Sequence, residues 1–317
     1  MINILANDGI SQSGKEALDN AGFNISTITV AQEQLANHIQ SNDIAVLLVR
    51  SATTVRKDLI DRCPNLKIIG RGGVGMDNID VEYARSKGIN VINTPAASSS
   101  SVAELVFAHL YGGVRFLHES NRNMPLEGDS NFKKLKKAYA KGVELRGKTI
   151  GIVGFGRIGR ETAKIALGIG MKVLAYDKFL KEASITLNFS HEKSVEFNIK
   201  ISKFNYLLEN SDFISLHVPA QKEFIIDKKQ FELMKDGVGI INAARGGVLN
   251  EVELISALDS GKVSFAGLDT FENEPKPEIK LLMHPNISLT PHIGAATNEA
   301  QDRIGKELAD QISNILN

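Results

Sequence analysis

The sequence predicts an α/β protein of two doubly wound parallel-sheet domains with a cleft between them. Its 317 residues exceed the roughly 100–200 of a single domain. From the first residue, short β-rich apolar runs alternate with amphipathic stretches, the rhythm of βαβ units around a parallel sheet. Near residue 94 that rhythm breaks, and a second series of the same kind begins further on.

In the first series, strands are expected at residues 2–6, 23–28, 44–49, 66–70 and 89–93, with helices in SGKEALDNAG, AQEQLANHIQ and the polar stretch after Val49. Thr94-Pro95 ends the last strand. The serines that follow lead into SVAELVFAHLYGGVRFL, where Ser101 and Glu104 have the spacing of a capping box and a long helix is expected to cross between domains. The second series places strands at residues 149–153, 172–176, 213–217, 239–242, 264–269 and 287–290. The final helical stretch, from about Thr297 to Leu316, has no sheet of its own to complete and is expected to return to the first domain. One domain is therefore read as 1–97 with 290–317, and the other as 98–289. The Lys-rich piece between Lys133 and Lys148 reads as a solvated connector.

Composition excludes several function classes. Thirty-seven Lys and Arg balance 37 Asp and Glu, which leaves no overall field for holding nucleic acid or an anionic bilayer. Cys63 is the single cysteine, so neither an intrachain disulfide nor a Cys-based zinc cluster is available, and no metal is expected. The start lacks a basic segment followed by a long apolar one, and no apolar run reaches the roughly 18 residues of a membrane span. A cytoplasmic location away from membranes is expected.

Gly154-Phe155-Gly156-Arg157-Ile158-Gly159 stands directly after the strand KTIGIV and directly before the helical RETAKIALGIG. In that context the first glycine permits a tight turn, the second lets backbone approach a pyrophosphate, and the third lets helix and strand pack closely. The helix start adds unpaired N–H groups and partial positive charge. Asp177, at the end of the next strand, is placed to accept from ribose hydroxyls and to repel a 2′-phosphate, which favours NAD over NADP.

A base that is neutral near pH 7 suits oxidation of an alcohol. His292, in Thr290-Pro291-His292-Ile293-Gly294, follows a strand, where α/β sheets place ligands. His38, His109, His118, His191 and His284 read as surface or packing residues. A carboxylate would orient the imidazole, and Glu274 in DTFENEP is the preferred partner, although Glu272 is barely separable from it by sequence. Arg245, in Asn242-Ala243-Ala244-Arg245-Gly246-Gly247, could grip a substrate carboxylate.

In order, GFGRIG, NAARGG, LDTFENEP and TPHIG resemble the D-2-hydroxyacid dehydrogenase family across nearly the whole chain. IIGRGGVGMDNID, VINTPAASSSSVAEL and ELRGKTIGIVGFGRIGRE most resemble its phosphoglycerate dehydrogenase branch. The resemblance implies a Rossmann NAD domain beside a flavodoxin-like substrate domain, hydride transfer at the 2-carbon of a hydroxy acid, and a homodimer. It assigns Arg245, Glu274 and His292 to catalysis. It places His217, Val218 and Pro219 at the cofactor's adenosine side, Ala243 and Asp269 near the nicotinamide, and Gly73, Val74 and Gly75 near the substrate carboxylate. Ala243 stands where the family often has Thr, Asn250 where Asp is usual, and residues 180–206 form a longer insert. The chain stops at Asn317, so the C-terminal regulatory domains of longer relatives are expected to be absent.

Arg50 and Ser51 end one strand and Arg71 another, so two arginines at strand C-terminal ends favour a phosphorylated hydroxy acid. Lys137 or Lys141 would add a further cation, by resemblance. A glyoxylate or hydroxypyruvate reductase is the competing chemistry, and an NAD-sensing, corepressor-like protein the non-enzymatic alternative.

Overall fold

The computed structural model describes every residue except His191 and Asn317. Its chain forms two compact units, Met1–Ser101 with Ala295–Asn317, and Val102–Gly294.

In the first unit five parallel strands, β1 (Asn3–Ala6), β2 (Asn24–Ser26), β3 (Ile44–Val49), β4 (Ile68–Arg71) and β5 (Asn90–Asn93), stand in the order β2-β1-β3-β4-β5. Helices α1 (Gln12–Asn20), α2 (Gln32–Ser41), α3 (Lys57–Arg62) and α4 (Val81–Ser86) connect them. Successive strand side chains point to opposite faces, and here both faces are apolar. Leu5, Leu47 and Ile69 pack with Leu35 and Ile39 of α2 and with Leu59 and Ile60 of α3. Ile4, Val46, Leu48 and Ile68 pack on the other side with Leu18 of α1. Strands apolar on both faces must be covered on both, which is why this sheet is parallel and sandwiched by helices.

Helix α5 (Ser99–Val114) contains the division between the units, and α6 (Leu117–Glu127) and α7 (Phe132–Ala138) follow it. The second unit's sheet uses β6 (Thr149–Val153) and β7 (Lys172–Tyr176), then, after a hairpin of β8 (Glu182–Asn188) and β9 (Ser194–Lys200), β10 (Phe213–Leu216), β11 (Val238–Asn242), β12 (Val263–Leu268) and β13 (Ile287–Leu289). Apart from the antiparallel hairpin, all are parallel, in the order β13-β12-β11-β10-β6-β7. Helices α8 (Arg157–Gly168), α9 (Phe204–Asn210), α10 (Lys228–Leu233), α11 (Glu251–Asp259) and α12 (Ile279–Leu282) complete the unit. The strand order switches direction between β6 and β10, the position at whose strand carboxyl ends open α/β sheets take ligands. The chain then returns to the first unit as α13 (Asn298–Leu316), whose Ile304, Leu308 and Ile312 join the core face lined by Leu18.

Three local differences from the sequence reading have physical causes. The divisions fall after Ser101 and after Gly294 rather than after residues 97 and 289, because Ile293 and Gly294 donate their backbone N–H groups to Asp269 of the second unit. Ser101 does not cap a helix: α5 begins at Ser99, and the Ser101 hydroxyl is 2.8 Å from that of Thr297. The 180–206 insert is the β8-β9 hairpin, whose Ala183 and Ile185 are buried in the core beside β7. Among the described residues, no helix is long and apolar enough to cross a membrane.

Candidate active site

β6 ends at Val153 and the chain turns at Gly154, where φ is +93°. A Cβ there would lie 2.4 Å from the carbonyl oxygen of His217, so both conformation and space demand glycine. Gly159, in the first turn of α8, would place a Cβ 2.2 Å from the Gly154 oxygen, so helix and turn pack backbone to backbone. A Cβ on Gly156, by contrast, would meet nothing within 4 Å. The middle glycine thus faces open space at the start of α8, beside the exposed Arg157 and the half-buried Ile158. Bare backbone at a positive helix end fits a dinucleotide pyrophosphate.

Asp177 is anchored next to this turn. Its Oδ2 accepts from Phe155 N and its Oδ1 from Phe179 N, each at 2.9 Å. Both oxygens retain lone pairs for ribose hydroxyls. His217 follows the neighbouring strand, β10. Its Nε2 lies 2.9 Å from the Ser215 hydroxyl and 3.2 Å from that of Thr162 in α8. Burial pushes this imidazole down to about 3, so it is a neutral brace between strand and helix. Val218 is half-buried and Pro219 exposed beyond it.

Three loops at the carboxyl ends of β11, β12 and β13 carry Arg245, Glu274 and His292. After β11, the buried Asn242 folds the next loop over itself: its Oδ1 accepts from Ala244 N at 3.1 Å and its Nδ2 donates to Arg245 O at 2.9 Å. Arg245 donates to Ala244 O at 2.6 Å. Ala243 is buried at the loop's start. After β12 comes Asp269, 1% exposed. Its oxygens accept from the Thr290 hydroxyl at 2.6 Å and from Ile293 N and Gly294 N at 2.8 Å each. Thr290 is in turn 3.0 Å from His109 Nε2. Because Thr290 gives its proton to Asp269, His109 donates from Nε2, and burial lowers its basicity against the charge of Asp269. This chain of bonds holds the turn in which His292 adopts φ +56°, a left-handed conformation rare outside glycine and asparagine.

The turn presents His292 Nδ1 to Glu274 Oε2 at 2.8 Å. Glu274 also accepts from Phe271 N through Oε1, at 3.0 Å. Burial works to raise its pKa, but the His292 bond, the Phe271 bond and the charge of Arg245 together hold the carboxyl below its usual range. Glu274 therefore stays ionised and can only accept, so Nδ1 carries a proton and proton exchange is left to Nε2. Of the two carboxylates that the sequence left side by side, Glu274 meets His292. Glu272 accepts instead from Glu251 N at 2.9 Å. Glu251 had not been singled out, since its only sequence signal is its place at the start of α11, 21 residues from Glu272.

In the first unit, Val49 and Arg71 are register partners on β3 and β4, so Arg50 and Arg71 leave adjacent strands at the same sheet edge. The half-buried Arg71 donates to Gly72 O at 2.7 Å. Its guanidinium lies where a Cβ on Gly73 would be, so Gly73 is a close-approach glycine, followed by exposed Val74 and half-buried Gly75. Arg50 N donates to Asp8 at 2.6 Å, and Ser51 is exposed beside it. Lys137 is exposed on α7. Lys141 lines a cavity of about 370 Å³ with Lys148, Asp212, Lys235 and Asn286, at the amino ends of the second unit's strands and hence opposite His292 on that sheet. His118 Nε2 donates to Pro285 O at 3.0 Å and His284 pairs with Asp259. His191 lies outside the described residues.

Residues 107–294 match the family model described as "D-isomer specific 2-hydroxyacid dehydrogenase, NAD binding domain". The chain is 39% identical over 318 residues to D-3-phosphoglycerate dehydrogenase of Archaeoglobus fulgidus, covering 99% of this chain and 57% of that one. It thus spans a little over half the length of that relative. It is 45% identical over 275 residues to hydroxypyruvate reductase of Thermotoga maritima, covering 85% of this chain and 84% of the other. Its fold resembles the crystal structure of D-lactate dehydrogenase from Aquifex aeolicus with NAD and lactic acid, at a TM-score of 0.75 and 30% identity, covering 100% and 95% of the two chains. With its NAD-binding domain in the second unit, the chain belongs to the D-isomer specific 2-hydroxyacid dehydrogenase family.

Proposed function

We propose that the protein oxidises 3-phospho-D-glycerate to 3-phosphohydroxypyruvate with NAD, the first step toward L-serine. The observation that carries the oxidation chemistry is the bond between His292 Nδ1 and the ionised Glu274. His292 Nε2 takes the proton of the substrate's 2-hydroxyl, and Glu274 stabilises the imidazolium that results. Arg245 grips the substrate carboxylate. NAD, when bound, supplies the hydride acceptor, with its pyrophosphate at Gly154, Gly156, Arg157, Ile158 and Gly159 and its ribose at Asp177. His217, Val218 and Pro219 flank the adenosine, and Ala243 and Asp269 the nicotinamide.

The phosphate assignment is supported by Arg50 and Arg71 on adjacent strands, with Ser51 and the Gly73–Gly75 backbone beside them, and by the 39% identity to a phosphoglycerate dehydrogenase. The 45% identity to a hydroxypyruvate reductase favours a second reading, reduction of an unphosphorylated 2-keto acid. A steady-state screen of phosphorylated and unphosphorylated 2-hydroxy and 2-keto acids, with NAD and NADP, separates the two. Under the first reading, Arg50→Ala and Arg71→Ala each raise KM for the phosphorylated acid by about a hundredfold. An unchanged KM refutes the phosphate assignment.

We also infer a homodimer and a cytoplasmic location. Tyr111, Leu117, Met124, Leu126 and Phe132 of α5 to α7 leave apolar surface exposed, which supports a second copy as cover. Analytical ultracentrifugation reads this directly, and a monomer at micromolar concentration refutes it.

A further inference from the structure

Behind the His292–Glu274 pair, two carboxylates clasp each other's backbone. Glu251, the first residue of α11, is 7% exposed. Its Oε1 accepts from Glu272 N at 2.8 Å, while Glu272 Oε1 accepts from Glu251 N at 2.9 Å. The two bonds close a ring between the start of α11 and residues 271–274. The same loop is pressed from the other side by Gly246, where a Cβ would lie 1.9 Å from Phe271 O. The loop is thus held at consecutive residues: Phe271 by Gly246 and Glu274, and Glu272 by Glu251.

We propose that Glu251 is a positioning residue for the acid–base pair, fixing the 271–274 loop through the Glu272 backbone so that Glu274 meets His292. This rests on the reading of His292 as the acid–base group. The clasp has an electrostatic consequence. Burial pushes the Glu251 carboxyl up to about 7, and the charges of Glu272, Glu278 and Glu274 add to the rise, against the bond from Glu272 N and the positive end of α11. Glu251 therefore gains charge near neutral pH, within electrostatic reach of Glu272, Glu278 and Glu274.

The test uses ¹⁵N- and ¹³C-labelled histidine in the full chain without cofactor, read by NMR, with His292 assigned by its absence from the His292→Gln spectrum. In Glu251→Gln the amide oxygen accepts the same bond. The hydrogen-bonded Nδ1–H signal of His292 is expected to persist. In Glu251→Ala the Nδ1–H signal is expected to be lost. Turnover follows the same order: kcat falls about tenfold in Glu251→Ala with KM for NAD unchanged, and Glu251→Gln restores it. Retention of the Nδ1–H signal in Glu251→Ala, or its loss in Glu251→Gln, overturns the proposal. A wild-type chain that turns over no 2-hydroxy acid refutes the proposed function instead, and the NMR measurements still decide the positioning role.

Discussion

His292 Nδ1 and Glu274 Oε2 lie 2.8 Å apart across 18 residues of sequence. The contact depends on two loops fixed separately: Asp269 staples the His292 turn, and Phe271 N anchors Glu274. The imidazole is left with Nε2 open as a proton acceptor, which is the geometry a general base needs.

Replacing Glu274 by Gln keeps the shape and removes the charge. The amide cannot stabilise an imidazolium as a carboxylate does, so kcat is expected to fall about a hundredfold. NADH affinity, read by fluorescence titration, is expected to stay within about twofold, because Glu274 is not assigned to the cofactor. An equal loss in both quantities would mean that the loop, rather than the charge, had been changed.

Gly246→Ala tests whether the Arg245 and Glu274 loops need their backbone contact. The added Cβ would stand 1.9 Å from Phe271 O and 2.9 Å from Glu272 N, so the loops must part. A separation of about 1 Å at the chemistry lowers kcat by about a hundredfold. The check is kcat beside thermal stability, and wild-type kcat would show that the contact is dispensable.

At the glycine turn, Asp177→Ala removes the acceptor for Phe155 N and, with it, the acceptor proposed for the ribose hydroxyls. NADH affinity is expected to fall at least about tenfold, with the NADH-over-NADPH preference narrowed. Paired titrations with the two nucleotides measure both effects, and an unaltered preference would remove Asp177 from cofactor selection.

The stability of the chain should also report Glu251. Burial raises its folded-state carboxyl to about 7 from the ordinary 4.5. Stability linked to this group is therefore full below about pH 4.5, declines as pH rises, and is lost above about 7. Glu251→Gln escapes that loss, so at pH 8 its Tm is expected to exceed wild type by about 3 °C, with the advantage gone at pH 4.5. His217 acts with the opposite sign. Its imidazole is lowered to about 3 from 6.5, so its contribution is full above about pH 6.5 and falls away in acid. Thermal melts across pH 4 to 8 resolve the two, and a Glu251→Gln melt parallel to wild type at every pH would contradict the linkage.

Much of this site was legible in the sequence because strand ends announce themselves. Gly154, Asp177, Arg245 and His292 each follow an apolar run, and parallel α/β sheets gather such positions at one edge. What was not legible was set by contacts that have no local pattern. Whether Glu272 or Glu274 faces His292 depends on which carboxylate finds Glu251 N, 21 residues away. Ser101 had the spacing of a cap, but its hydroxyl meets Thr297, 196 residues on, inside a helix already under way. The β8-β9 hairpin did leave a trace, since Ala183 and Ile185 alternate with polar neighbours and are the buried positions. That period of two was hidden within an insert read only by its length.

The central claim is that His292 moves the proton. Single-turnover oxidation by His292→Gln at saturating NAD is the most direct measurement of it. Loss of the chemical rate by about a thousandfold, with NADH affinity unchanged, is the expected result. A rate within about twofold of wild type would contradict it.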